Sequence, residues 1–173
     1  MEARVRGYFR RAWADEATKA TFAEDPAAFV ANDDRFAAMA KAAEQFGLTL
    51  SPEDTAADIG RAANTNPLEE RPSLLRLVQE AEAGAYDVLI VHRVVDISRV
   101  CSQVVEILAR LQAVGIRVLA AEGEPRWLDG LDDMEKVRTV FIEESAAQMR
   151  KIGRERLRHY QSEDAKRRAK ARG

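Results

Sequence analysis

The chain has 173 residues, 46% of them apolar and 32% charged, which suits one globular domain with an appendage and excludes a disordered or fibrous chain. Its single cysteine, Cys101, excludes an internal disulfide framework and a cysteine-based zinc site, and no apolar run approaches the roughly 20 residues that span a bilayer. The net charge of −2 conceals an asymmetry: residues 150–173 carry +7 and the remainder −9, which is the pattern of a basic arm for a polyanionic partner.

In chain order, the first segment, Met1 to Arg11, is basic with no apolar signal core behind it, so a cytoplasmic protein is expected. Val5 to Phe9 alternate weakly and predict a first strand. An Ala-rich stretch follows from Ala12 to Asn32. Asp33-Asp34 can cap a helix from Arg35 to Phe46, whose stripe is Phe36, Met39, Ala40, Ala43 and Phe46, with Gly47 as its stop. Leu48 to Leu50 predicts a short second strand. Ser51 to Glu70, with Pro52, Gly60 and Pro67, predicts a long surface loop.

The second half is patterned more strongly. Pro72 opens a helix to Ala83, which stops at Gly84. Asp87 to Val91 is a continuous apolar run that predicts a strand covered on both faces. A loop from His92 to Arg99 leads to a helix from Cys101 to Val114, with Val104, Val105, Leu108 and Leu111 at helical spacing. Gly115 ends it, and Ile116 to Ala121 predicts another buried strand. This β–α–β unit implies parallel strands joined by a right-handed crossover. The fold class is therefore α/β, a mostly parallel central sheet flanked by helices.

From Leu131 to Tyr160 the apolar positions recur mostly every three or four residues, which predicts one long helix of roughly 45 Å at 1.5 Å per residue. A helix that long is expected to project from a small domain, and its apolar stripe needs a partner, most simply a second copy of the chain. Val137, Phe141, Met149 and Ile152 are the expected dimerisation residues. Three regions follow: an α/β domain at 1–130, a dimerisation helix at 131–160 and a basic tail at 161–173.

Several features fall in a recognisable order. Tyr8-Phe9-Arg10 closes the first strand, Arg71-Pro72-Ser73-Leu74 opens a helix, and Asp87-Val88-Leu89-Ile90-Val91 forms a strand. Ile97-Ser98-Arg99 precedes a helix, Gly115-Ile116-Arg117-Val118 enters another strand, and a long helix carries Glu143-Glu144 with Arg150 beyond. The ordered set, over residues 3–160 with an insertion around 14–32, resembles the catalytic domain of the serine recombinases (resolvase/invertase type). The resemblance implies a serine hydroxyl that attacks a DNA phosphodiester among arginines, which bind phosphate through a planar, permanently charged fork.

The match is partial. Arg10, Arg71 and Arg99 stand where the resemblance places phosphate-binding arginines, but the nucleophile position two residues after Arg10 is Ala12, which has no hydroxyl. Where the family has an Asp-Arg pair, this chain has Val95-Asp96, and a carboxylate there would repel phosphate. The resemblance thus implies a pseudoenzyme: a DNA-associated dimer related to site-specific recombination that no longer cuts.

Arg150, Arg154, Lys166, Arg167, Arg168 and Lys170, together with Arg10, Arg71 and Arg99, are the expected DNA contacts. With no helix-turn-helix following, binding should be non-specific and salt-sensitive. Partners implied are DNA, a second copy, and an active recombinase that the chain could poison or regulate. Neither cofactor nor metal is expected. Two alternatives remain open here: an active recombinase with a relocated hydroxyl, Ser98 or Thr18, and a protein-interaction module without a DNA role. Trp13 reads as a packing residue, His92 as a hydrogen-bonded strand end, Cys101 as a buried helix-start residue, and Glu122-Gly123-Glu124 as an acidic loop.

Overall fold

A computed structural model describes residues 3–60 and 67–172, with side chains through residue 163. The first strand, β1 (Val5–Arg11), runs two residues further than its alternation suggests and lies inside the sheet, paired on both sides. Strand order is β2-β1-β3-β4-β5, where β2 is Thr55–Ile59, β3 Val88–Val91, β4 Arg117–Ala120 and β5 Arg126–Trp127. The first four strands are parallel and β5 is antiparallel to β4, so the sheet is mostly parallel, as expected.

The Ala-rich stretch is not irregular. It forms α1 (Glu16–Glu24) and α2 (Pro26–Ala31), because Asp15 and Asp25 each accept a backbone N–H three residues on, and Pro26 sits in the first turn of α2. Helix α3 (Asp34–Gln45) is capped by Asp33 and ends at Gly47, whose φ of +68° suits glycine.

The second strand is the main correction. Leu48 to Leu50 is not a strand; Leu50 is buried as an anchor behind α3. The strand instead comes from Thr55–Ile59, within the expected surface loop. Its Thr-Ala-Ala-Asp-Ile sequence carries little intrinsic β preference, and it becomes a strand by pairing Gly7 with Thr55 through Arg11 with Ile59.

Helix α4 (Pro72–Glu82), α6 (Cys101–Ala113) and strands β3 and β4 fall close to their predicted bounds. The expected loop from His92 to Arg99 contains a short helix, α5 (Val94–Ile97). All four residues of β3 are buried, in keeping with a central strand covered on both faces. On one face Phe9, Ala57, Ile90 and Leu119 pack with Met39, Ala42 and Ala43 of α3. Leu74 and Leu77 of α4 and Val104 and Leu108 of α6 are fully buried outside that cluster.

Gly7 marks the tightest approach between β1 and its neighbours. A Cβ there would lie 2.6 Å from Thr55 Oγ1 and 2.8 Å from Met39 Cε. The Met39 tip can move, but the Thr55 hydroxyl is held 2.9 Å from the Ser51 carbonyl. Gly7→Ala is therefore expected to cost about 1–3 kcal/mol by overpacking, read as a lowered urea midpoint at unchanged slope.

The last helix, α7 (Met134–Arg172), starts three residues later than expected and continues through the basic segment. The chain divides into two compact units, Met1–Arg138 and Thr139–Gly173. Among the described residues no helix is long and apolar enough to cross a membrane.

Candidate functional site

The C-terminal end of β1, the start of α4 and the segment after α5 carry the three sequence-expected arginines, Arg10, Arg71 and Arg99. Arg10, the penultimate residue of β1, is 3% exposed. Burial pulls its guanidinium below its usual value; Asp96 opposes that pull, and Arg99 and Arg71 add to it. Arg10 therefore feels the charges of Arg99 and Arg71 as well as that of Asp96.

Arg71 has a different situation from Arg99. It is 0% exposed, in the N-cap position of α4. Its Nη2 donates to the Tyr8 hydroxyl at 2.9 Å and to the main-chain carbonyl of Asp96, and its Nη1 donates to the carbonyl of Ile97. Tyr8 passes the interaction on, donating to Asp58 Oδ2 at 2.9 Å, and Asp58 accepts the backbone N–H groups of Ser73 at 3.1 Å and Leu74 at 3.3 Å. One chain of hydrogen bonds thus ties α5, α4, β1 and β2 together. Desolvation pushes the Tyr8 phenol far above its ordinary value, so it stays neutral and serves as donor and acceptor. Arg99 is exposed.

Asp96, on α5, is 0% exposed. Its Oδ2 lies 3.5 Å from His92 Nδ1 and its Oδ1 lies 3.6 Å from Arg93 Nη2. Arg93 also faces Glu122, with Nε 3.5 Å from Oε2. His92 is thus a buried strand-end residue beside a carboxylate, and Glu122 answers Arg93.

Ala12 is exposed just past β1, and Trp13 beside it is 74% exposed. The packing role expected for Trp13 is therefore wrong: the loop that carries it turns outward before Asp15 caps α1. Cys101 is only partly buried, also against expectation, because the first turn of α6 faces outward there. Of the two candidate hydroxyls, Ser98 is 0% exposed, with its Oγ donating to Gln103 Oε1 at 2.8 Å and accepting from Val100 N at 3.0 Å. Thr18 lies in the first turn of α1. A cavity of about 480 Å³ next to the inserted helices is lined by Arg11, Asp25, Phe29, Asn32 and Asp33, and contains none of the three clustered arginines.

On α7, Val137 is fully buried, Phe141 and Ile152 are half-buried, and Met149 is 69% exposed. Ile142, Leu157 and Tyr160 are exposed as well. At 3.6 residues per turn these three and Met149 fall within about 80° of one another around the helix. Arg150 and Arg154 are exposed one turn apart. Lys166, Arg167, Arg168 and Lys170 continue the helical backbone, but their side chains lie outside the described residues.

Sequence reasoning missed Tyr8 and Asp58 as structural partners of Arg71. Tyr8 was visible only as part of Tyr-x-Arg, and Asp58 lay in a segment without a strand signal.

A family model described as the resolvase N-terminal domain matches residues 30–173, beginning after β1. Among solved structures the chain is similar to the N-terminal catalytic domain of TP901-1 integrase, with 18% identity and a TM-score of 0.53 over 84% of this chain and 98% of that one. It is also similar to a resolvase family site-specific recombinase from Streptococcus pneumoniae, with 14% identity and a TM-score of 0.51 over 87% of this chain and 94% of that one. Both likenesses are of fold. No curated protein sequence matches.

Proposed function

Because the chain belongs to the resolvase family and has a recombination-related role, we propose that it is a member without strand-cleaving activity, which dimerises and binds DNA non-specifically. The observation that carries the reading is at the end of β1. The side chain two residues past Arg10 is the methyl group of Ala12, with no oxygen to attack phosphorus. Two further features support it. Arg71 spends its guanidinium on main-chain carbonyls and Tyr8 inside the fold, and Ser98 is buried and already hydrogen-bonded.

Self-association is assigned to α7. The exposed stripe of Ile142, Met149, Leu157 and Tyr160, flanked by the half-buried Phe141 and Ile152, is an apolar surface of the kind helices cover by pairing. Val137 is occupied within its own chain and leaves the dimerisation set. DNA binding is assigned to Arg150, Arg154 and the basic segment Lys166, Arg167, Arg168 and Lys170, with Arg99 as the exposed member of the core cluster. An active recombinase of the same fold is a natural second partner, because the same helix face could pair with it.

The test is incubation with supercoiled DNA, denaturation, and a search for protein covalently attached to a nicked or linear product. No adduct is expected from the native chain. An adduct abolished by changing a single serine or threonine overturns the reading.

A further inference from the structure

Gly153 stands in the interior of α7, where glycine weakens a helix relative to alanine. Its own chain gives no reason for it: a Cβ added there would meet nothing within 4 Å among the described residues. Its place around the helix does. Ile142, Ala146, Met149 and Gly153 follow one another at steps of four, three and four, which puts them on one stripe. Ile142 is 64% and Met149 69% exposed. Ala146 is half-buried and Gly153 is exposed. Large and small residues therefore alternate along a face turned to solvent.

Charge divides along the same helix. Residues 139–148 carry −2, from Glu143 and Glu144, and residues 149–158 carry +4. Glu143 and Arg150, both exposed, lie on the same flank of the stripe, each about 80° round from its centre.

We propose that α7 pairs with α7 of a second copy in antiparallel, with Ile142 over the partner's Gly153, Met149 over the partner's Ala146, and Glu143 beside the partner's Arg150. The proposal rests on the reading that this chain self-associates through α7, and it adds direction and register. Reversal sets each large side chain against a small one, so the backbones can approach closely. It also sets the acidic stretch of each helix against the basic stretch of the other. Parallel pairing in register would bring glycine to glycine, leaving a gap, and would bring Arg156, which lies on the same stripe, against its own copy. Antiparallel pairing sends the basic segments of the two copies to opposite ends of the pair.

The test uses the full chain with Cys101→Ser and one nitroxide per copy, at Ser145→Cys or at Tyr160→Cys, both exposed positions. Electron spin resonance reads the distance between the two labels of a dimer. Antiparallel pairing should give under about 20 Å at position 145 and about 40 Å at position 160, because the second pair is then separated by roughly 25 residues of rise at 1.5 Å each. Short distances at both positions overturn the direction and leave self-association standing. A long distance at position 145 overturns the register. A chain that is monomeric at the concentration of the measurement overturns self-association and the proposal with it.

Charge reversal is the second arm, read by sedimentation equilibrium. Glu143→Arg and Arg150→Glu should each weaken the dimer about tenfold, since each brings like charges together twice per dimer, and the double variant should restore the native affinity. A double variant as weak as the single ones overturns the pairing of Glu143 with the partner's Arg150.

Discussion

Arg71→Met is expected to cost about 3–5 kcal/mol of stability, the largest effect of any single change considered for this chain. The methionine stem replaces much of the apolar bulk, so the loss isolates the guanidinium. Its removal strands the carbonyls of Asp96 and Ile97 and leaves the Tyr8 hydroxyl without its donor, all in a fully buried setting. It also takes away a positive charge that the Tyr8 hydroxyl bridges to the buried carboxylate of Asp58. Arg71→Lys should recover only part of the loss, because an ammonium cannot span two carbonyls and a hydroxyl with a planar fork. Urea denaturation measures both, with Arg99→Met as the exposed comparison, expected to stay within about 0.5 kcal/mol. A loss below about 1 kcal/mol for Arg71→Met would show that Arg71 does not anchor α5 to α4 and β1.

The second large effect is on DNA affinity. Five of the chain's Lys and Arg residues lie after Tyr160: Lys166, Arg167, Arg168, Lys170 and Arg172. Each phosphate neutralised on a duplex contributes a slope of about −0.9 to log affinity against log salt. Truncation after Tyr160 should therefore make that slope shallower by about 4.5 if all five reach phosphates. Between 50 and 200 mM salt the full chain should lose about two to three more powers of ten in affinity than the truncated one. Fluorescence anisotropy with a labelled duplex of arbitrary sequence measures both quantities, and scrambling the duplex should change neither. Unchanged affinity and slope on truncation would sink the DNA-arm assignment and leave α7 as a protein-pairing helix alone.

The two effects act in different units of the chain, so they should be separable. Arg71 belongs to the unit that ends at Arg138, and the basic segment belongs to the unit that begins at Thr139. An Arg71 variant still folded at 10 °C should keep the salt slope of the native protein, since its guanidinium has no exposed surface to offer a phosphate.

How much was legible in the sequence depended on whether a segment's structure is specified locally. The apolar run at β3, the stripes of α4 and α6, Pro72 and the stops at Gly47, Gly84 and Gly115 announce themselves, because periodicity and backbone freedom act within a few residues. The order of those elements was enough to suggest the family, and Ala12 and Asp96 could be read as departures from it without coordinates. The short strand β5 and the helices α1, α2 and α5 gave weaker signals or none, since two to nine residues carry too few periods to stand out.

The sequence by itself determined the α/β alternation and the long charged helix, and it raised the expectation that Ala12 and Asp96 depart from the family pattern. Tertiary structure alone decided that Thr55–Ile59 is a strand, because a Thr-Ala-Ala-Asp-Ile segment is extended only when β1 offers it hydrogen bonds. It also decided the fate of each arginine. Arg71 and Arg99 look alike in the chain, but one is walled in by Tyr8, α4 and α5 while the other faces solvent. Burial is a property of what the rest of the chain places around a side chain, and partners 25, 26 and 63 residues away from Arg71 leave no trace in its local sequence.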